Sequence, residues 1–328
     1  MVFSSFWWVH LIIFAAAFLF SFISIPLAAR KFKSAGLTGV NLHSKSREEL
    51  PESLGVIIGM ITIIIIILSS FLLESLIDLI YTIIMSAAIA LILGFADDIL
   101  SIRWRYKILI PLVASIPLIL NYTGSTLVEI PFIGVINLGI IYTLILIPLI
   151  TVYMSNSINI YAGLNLLEVG QVIVLTGVII FIGVVTGNEL ALHMSIPFLA
   201  GSIALAWFNK YPARVFVGNS FTYFSGMFLI SIAILTNMEK LFILCTFPQL
   251  INFLYSLRDF TGKTARHRVP KYNVYTGLLE DSGNHTLLNL VIKLSGPMSE
   301  KKLSNILILI QLVNAIIVLA GWFLLRVI

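Results

Sequence analysis

The chain has 328 residues, of which 59% are hydrophobic and only 11% are charged, and its mean hydropathy is +1.05. Soluble domains carry roughly 25% charged residues, so this composition excludes an ordinary soluble enzyme, a coiled coil and a disordered chain. A single cysteine excludes a disulfide framework, and the five scattered histidines offer no zinc-site spacing. Uncharged apolar runs such as residues 54–73 instead predict a membrane protein.

Hydropathy predicts an all-α polytopic membrane protein with about ten transmembrane helices, because one span needs roughly 20 apolar residues. The candidate spans are residues 6–29, 53–73, 79–95, 108–122, 136–158, 168–186, 192–208, 219–236, 240–257 and 303–326. The first is expected to be a retained signal anchor, since it lacks a basic leader and basic residues follow it. The whole chain, 1–328, is expected to form one integral membrane domain.

The connection between the ninth and tenth spans, residues 258–302, is the only one long enough to fold by itself. Strand-like residues 268–275 and the Thr276-Gly277 turn predict a small hairpin. The apolar run 287–294 predicts a helix, which could lie along the membrane interface. We therefore expect a small mixed α/β region in this loop.

The distribution of basic residues predicts the orientation in the membrane. Of the 20 Lys and Arg residues, all but Lys240 and Arg326 fall in alternate connections. The positive-inside rule assigns these connections to the cytosol and both termini to the lumen or the outside. The net charge of +5 therefore reflects topology and gives no reason to expect a nucleic-acid partner.

Two adjacent carboxylates, Asp97 and Asp98, end the third span where it meets the cytosol. Ionised groups at a membrane edge are costly unless they meet a cation, a basic partner or a proton. Lys107 follows, with Arg103 and Arg105 before it. Adjacent helical residues point about 100° apart, so the two acids need not share a role. The alternatives are a solvated helix end for the acids and interfacial snorkelling for the basic residues.

Several carboxamides lie near the same predicted surface. Asn156 and Asn159 close the fifth span on one helix face. Their oxygens suit a hard divalent ion such as Mg²⁺, with interhelical hydrogen bonding as an equal alternative. Asn165 and Glu168 form an Asn-x-x-Glu pattern that is typical of a helix cap as well as of a ligand pair. Asn219 begins the eighth span, where an N-cap is the default interpretation.

In the long loop, Arg266, His267 and Arg268 can present two guanidinium groups around an imidazole, which suits a diphosphate. A plain cytosolic charge cluster is the alternative. Carboxylates, amides and basic groups thus share one predicted cytosolic surface above an apolar body. That combination indicates a phosphorylated, partly lipidic substrate, because phosphoryl transfer needs chiefly positioning and charge neutralisation.

Several of these residues belong to longer motifs that carry a family resemblance. The motifs are residues 50–56, 94–98 continuing through 103–107, 156–165, 211–218, 248–256 and 266–270. In order and spacing they resemble the UDP-N-acetylglucosamine:dolichyl-phosphate N-acetylglucosaminephosphotransferase family. The resemblance implies transfer of N-acetylglucosamine 1-phosphate from UDP-N-acetylglucosamine to dolichyl phosphate, with release of UMP, at the endoplasmic reticulum membrane. A homodimer is a further expectation.

The resemblance also implies roles for individual residues. Asn159 and Asn219 would hold magnesium, while Lys107 and Arg266 would contact phosphate. Asp97 and Asp98 would serve catalysis and organise the lysine. His267 and Arg268 would lie near the diphosphate and sugar, and the pocket for the nucleotide sugar would be lined by Glu52, Asn156, Gly163, Asn165 and Phe216.

Three residues depart from the family pattern. Asn219 and Asn41 stand where the family has Asp, and Leu166 replaces a glycine. A neutral ligand neutralises less of the metal charge, so Mg²⁺ binding should be weaker. The leading hypothesis is an active transferase with an altered metal shell, and the alternative is a disabled homologue that keeps its affinity for the nucleotide sugar. A transporter is a third hypothesis, although the interrupted-helix repeats of that class are missing.

Overall fold

The computed structural model describes residues 2–130, 134–259 and 269–327. Its α-helices are α1 (Val2–Ser34), α2 (Gly55–Ser69), α3 (Ile77–Leu100), α4 (Trp104–Lys107), α5 (Leu109–Ala114), α6 (Ile116–Asn121), α7 (Ile147–Ile160), α8 (Leu167–Thr186), α9 (Glu189–Asn209), α10 (Gly218–Leu235), α11 (Glu239–Cys245), α12 (Phe247–Ser256), α13 (Leu287–Ser295) and α14 (Glu300–Val327). Short 3₁₀ segments, Ser70–Leu76 and Leu257–Asp259, follow α2 and α12, and a π-helical turn, Tyr142–Leu146, precedes α7.

Three antiparallel hairpins interrupt the helices. They are β1 (Thr38–Val40) with β2 (Glu49–Pro51), β3 (Leu127–Ile130) with β4 (Gly134–Asn137), and β5 (Lys271–Tyr272) with β6 (Leu279–Glu280). The first two are absent from the all-α prediction, because strands of three and four residues are too short to show a clear alternating pattern. The third lies in the 258–302 loop together with α13.

The protein is a polytopic membrane protein. Seven helical segments of the described residues, with α2 and α3 counted together as one, are long and apolar enough to cross a membrane, or eight when the bent pair α11–α12 counts as one span. The predicted number of ten spans is therefore not confirmed. The predicted span 108–122 consists of the short helices α5 and α6, and α11 and α12 meet at an angle of 63°. Pro117 and Pro248 lie in the first turn of α6 and α12, where a proline begins a helix readily but cannot continue one.

Helices α2 and α3 form a hairpin, and the turn between them lies at the end of the predicted span 53–73, next to Glu74 and Asp78. The backbone leaves helical geometry at Leu73, with φ −130° and ψ 49°. Gly59 of α2 then faces Leu91 of α3 closely. The start of α2 and the end of α3 consequently lie at the same end of the bundle, where Gly218 is close to both Ser53 and Asp98.

Helix α10 is the centre of the bundle. Every residue from 220 to 234 is buried, and α10 packs against α2, α3, α7, α8 and α9. Small residues permit this close approach: a Cβ on Gly226 would lie 2.5 Å from the Cα of Ser155 in α7. Around this core, α1 and α14 expose large apolar side chains such as Phe20 and Ile317. Such an apolar exterior suits a lipid bilayer.

Helix α13 packs onto the protein with its apolar face. Leu288 and Ile292 are buried in a cluster with Tyr161, Leu164 and Leu303. Thr286 caps the helix, since its hydroxyl accepts a hydrogen bond from the backbone N–H of Asn289 at 3.2 Å. The apolar face of α13 is therefore covered by the protein, and its position along the membrane interface stays a prediction.

Candidate functional site

The carboxylate of Asp98, in the last turn of α3, holds the start of α10. Its Oδ1 accepts a hydrogen bond from the backbone N–H of Asn219 at 2.5 Å, and its Oδ2 accepts one from Ser220 at 3.1 Å. The first N–H groups of a helix have no partner within the helix, so this carboxylate satisfies two of them. The default interpretation of Asn219 as an N-cap is wrong, because Val217 occupies that position and Asp98 supplies the acceptor.

The backbones of α3 and α10 are almost in contact at this point. A Cβ built on Gly94 would lie 2.8 Å from the carbonyl oxygen of Asn219. Glycine is therefore required one turn before Asp98 if the carboxylate is to reach the start of α10.

Asp97 has a different partner. Its side chain is fully buried, and its Oδ2 lies 2.6 Å from Nζ of Lys107, whose side chain is 26% exposed. The other oxygen accepts a hydrogen bond from the N–H of Ile102 at 2.9 Å. Ser101 ends α3 in a left-handed conformation, which turns the chain so that α4 brings the lysine back to the acid. A solvated helix end is thus the wrong interpretation for Asp97.

The end of α7 meets the start of α10 through two amides. Nδ2 of Asn159 donates to Oδ1 of Asn219 at 3.2 Å, which is the interhelical hydrogen bond weighed as an alternative to a metal site. Asn156 instead donates to the carbonyl of Val152 within its own helix at 2.9 Å. We call Asp97, Asp98, Lys107, Asn159 and Asn219 the polar cluster.

Two buried glutamines fix the end of α7. Nε2 of Gln171 in α8 donates to the carbonyl of Tyr161 at 2.7 Å and to that of Ile158 at 3.2 Å. Its Oε1 accepts from Gln249 of α12 at 2.9 Å. These bonds satisfy carbonyl groups that the end of a helix leaves open, and they hold the turn that carries Asn159.

The polar cluster could supply part of the ligand set of a magnesium ion, with a substrate phosphate and waters as the other ligands. Adjacent ligands of octahedral Mg²⁺ are about 3 Å apart, and the ion usually takes one or two protein oxygens together with phosphates and waters. The 3.2 Å between the amides of Asn159 and Asn219 matches that spacing once the amide of Asn159 is turned to present its oxygen. Among the residues that the structure describes, no group of three or more His, Cys, Asp or Glu could hold a metal alone.

Glu52 and Phe216 lie together beside the first hairpin. A Cβ on Gly39 would be 2.7 Å from Oε2 of Glu52 and 3.0 Å from the ring of Phe216. The backbone of Phe216 donates to the carbonyl of Pro51 at 2.8 Å, which joins the segment before α10 to the segment before α2. The structure thus brings these two predicted pocket residues into one place.

Gly163 and Asn165 belong to the turn between α7 and α8. The N–H of Gly163 donates to Glu168 at 2.8 Å, while the buried Asn165 is bound to Glu300 of α14. The capping-box interpretation of Asn165 and Glu168 is wrong, because Leu166 is the N-cap of α8 and no side chain caps it.

The predicted residues Arg266, His267 and Arg268 lie outside the described residues. The residue after them, Val269, is described: its Cγ1 would lie 2.5 Å from a Cβ on Gly163. Glycine at position 163, with φ 102°, therefore permits this part of the long loop to approach the turn.

Comparison with known proteins identifies the family. Residues 80–237 match the family model described as glycosyl transferase family 4. The chain is 37% identical to the UDP-N-acetylglucosamine–dolichyl-phosphate N-acetylglucosaminephosphotransferase of Dictyostelium discoideum, over 88% of this chain and 82% of that protein. This chain belongs to the N-acetylglucosaminephosphotransferase family. Proteins of the same name from Schizosaccharomyces pombe and Saccharomyces cerevisiae are 38% and 32% identical, over 60% and 70% of this chain and 49% and 65% of their own lengths.

Some residues that hold the family's motifs in place were missed in the sequence. Glu300, His43, Gln171 and Asn209 are buried and hydrogen-bonded around the turn between α7 and α8. Glu300 offered one weak signal, an acid in the first turn of a helix. The glutamine was a lone polar residue in an apolar span, which in a membrane indicates a polar partner without naming it.

Leu166 is strained, and we expect the strain to be measurable. Its φ of 73° lies in the left-handed region, which costs a side-chain-bearing residue about 1–2 kcal/mol. Its N–H donates to Oδ1 of Asn209 at 2.9 Å, which holds this conformation in place. The Leu166→Gly variant should therefore be more stable than Leu166→Ala by about 1 kcal/mol. Thermal unfolding of both variants in detergent tests this, since both lose the side chain and only glycine relieves the backbone. Equal stability would contradict the strain.

Proposed function

We propose that the protein transfers N-acetylglucosamine 1-phosphate from UDP-N-acetylglucosamine to dolichyl phosphate. An oxygen of the lipid phosphate attacks the sugar-proximal phosphorus, and the bond from that phosphorus to the oxygen of UMP breaks. The products are UMP and dolichyl-diphosphate N-acetylglucosamine. Membership of the family supports this proposal, and the observation that carries it is the polar cluster, in which α3, α4, α7 and α10 bring an acid-bound lysine and paired amides to one end of an apolar bundle.

The chain's own residues would act mainly through position and charge. Asp97 holds Lys107 in one place, so the lysine ammonium can donate a hydrogen bond to a phosphate oxygen without prior reorganisation. Asp98 fixes the start of α10 and thereby keeps Asn219 opposite Asn159. Those two amides would hold magnesium, which when bound neutralises charge on the diphosphate.

The location of the reaction follows from the same proposal. The lipid tail would stay in the bilayer while its phosphate reaches the polar cluster. We place the cluster on the cytosolic side of the endoplasmic reticulum membrane, with both termini in the lumen, because the basic residues are concentrated in the connections at that end.

Release of UMP tests the proposal. Detergent-purified protein is given UDP-N-acetylglucosamine, dolichyl phosphate and magnesium, and UMP and the lipid product are quantified by chromatography and mass spectrometry. Reactions without lipid, without nucleotide sugar and with a chelator are the controls. UMP no higher than in the reaction without lipid would refute the transfer.

The neutral amide pair favours a second candidate, a disabled homologue that binds the nucleotide sugar without turnover. Asn219→Asp separates the two, because a carboxylate beside Asn159 should bind magnesium more tightly than an amide. For an active enzyme we expect the magnesium concentration at half-maximal UMP release to fall about tenfold. For a disabled homologue we expect turnover to appear only in the variant.

Asn237→Asp is the matched control for this prediction. It adds the same charge at an exposed residue just past the opposite end of α10, far from the polar cluster. It should leave the magnesium dependence within about twofold of the original. If Asn219→Asp changes neither the magnesium dependence nor the turnover, Asn219 is not a magnesium ligand.

A further inference from the structure

Glu300, the first residue of α14, is buried and accepts two hydrogen bonds from Asn165. Oε1 accepts a hydrogen bond from the backbone N–H of Asn165 at 2.8 Å, and Oε2 accepts one from its side-chain Nδ2 at 3.3 Å. Nδ1 of His43, from the first loop, lies 3.3 Å from the same Oε1. The residues that meet here are far apart in sequence, so the contact ties three separate segments together.

The two bonds decide which way the amide of Asn165 faces. An ionised carboxylate can only accept hydrogen bonds, whereas an amide has one donating and one accepting end. Glu300 therefore binds the Nδ2 end, and the Oδ1 end is directed away from it. Ser304, one turn later on α14, holds only the backbone: its hydroxyl donates to the carbonyl of Asn165 at 2.8 Å.

We propose that Glu300 is a positioning residue, which orients the amide of Asn165 so that its oxygen accepts a hydrogen bond from the bound nucleotide sugar. The inference rests on the proposed function and on the expected place of Asn165 in the nucleotide-sugar pocket. It adds a residue of α14, outside every motif of the family resemblance, to the determinants of substrate affinity.

Glu300→Gln tests the orientation with almost no change of shape. The donating NH2 end of the glutamine amide must then face another donor, either the fixed backbone N–H or Nδ2 of Asn165. The side chain of Asn165 can turn over and the backbone cannot, so the asparagine would present a donor where it now presents an acceptor. We expect the KM for UDP-N-acetylglucosamine and the Kd measured by calorimetry to rise about tenfold, with kcat within about threefold.

Two further variants separate orientation from general support of the fold. Ser304→Ala removes a hydrogen bond to the same residue without affecting its amide, and both constants should stay within about threefold of the original. The double variant Asn165→Asp, Glu300→Gln keeps the total charge: the glutamine donates to one carboxylate oxygen, and the other again faces outward as an acceptor. It should recover most of the lost affinity.

Calorimetry and the UMP assay keep the two proposals apart. Protein that binds UDP-N-acetylglucosamine without releasing UMP contradicts the proposed reaction, and the Kd values still decide the role of Glu300. Weaker binding by Glu300→Gln, with recovery in the double variant, supports the orientation. An unchanged Kd, an equal loss in Ser304→Ala, or no recovery overturns it.

Discussion

Asp98→Asn is expected to lower kcat/KM at least about 100-fold, because a small displacement of a binding group can cost that much. The carboxylate accepts from two backbone N–H groups at the start of α10, and an asparagine would turn a donating nitrogen towards one of them. The start of α10 would then shift together with Asn219, whose side chain pairs with Asn159. UMP release and thermal unfolding in detergent measure the two effects.

Asp98→Asn should also lower the free energy of unfolding by about 1–3 kcal/mol, because the carboxylate no longer caps the start of α10. Asp78→Asn, at the exposed opposite end of the same helix, is the matched control and should stay within about twofold in activity. If Asp98→Asn kept the activity of the original protein, the hydrogen bonds from Asp98 to the start of α10 would not be what positions Asn219 in the polar cluster.

The division of labour within the acidic pair was predictable from helix geometry. Side chains of adjacent helical residues point about 100° apart, and Asp97 and Asp98 do have separate partners, Lys107 and the start of α10. The identity of the second partner was not predictable. A carboxylate that accepts hydrogen bonds from a helix more than a hundred residues away leaves no local sequence pattern. Asn219 was therefore interpreted as the N-cap of its own helix.

The same limit applies to the architecture. Apolar composition reveals segments that can enter a membrane, but not where they bend. The turn at Leu73 was indicated by Glu74 and Asp78, which separate the predicted spans 53–73 and 79–95, whereas the break between α11 and α12 shows only as a proline. Glu300 was missed for a related reason: its partner Asn165 is 135 residues away, and only the folded chain brings the two together.

Removing Lys107 should have the other large effect, since its ammonium is the only cation that the structure places in the polar cluster among the described residues. We expect Lys107→Met to lower kcat about 100-fold or more, because fixed charges aimed at a transferring phosphoryl group are typically worth that much. It should also lower the free energy of unfolding by about 3 kcal/mol, since it leaves the fully buried Asp97 without its charge partner. Lys240→Met, an exposed lysine at the start of α11, is the matched control.

A double variant distinguishes stability from chemistry at this pair. Asp97→Asn with Lys107→Met removes both charges, so the penalty of a lone buried carboxylate disappears and most of the stability should return. Turnover should not return, because phosphate would still lack its fixed cation. Recovery of UMP release together with stability would mean that the pair only supports the turn between α3 and α4. Recovered stability without turnover would instead mean that Lys107 acts in the reaction and that Asp97 positions its ammonium.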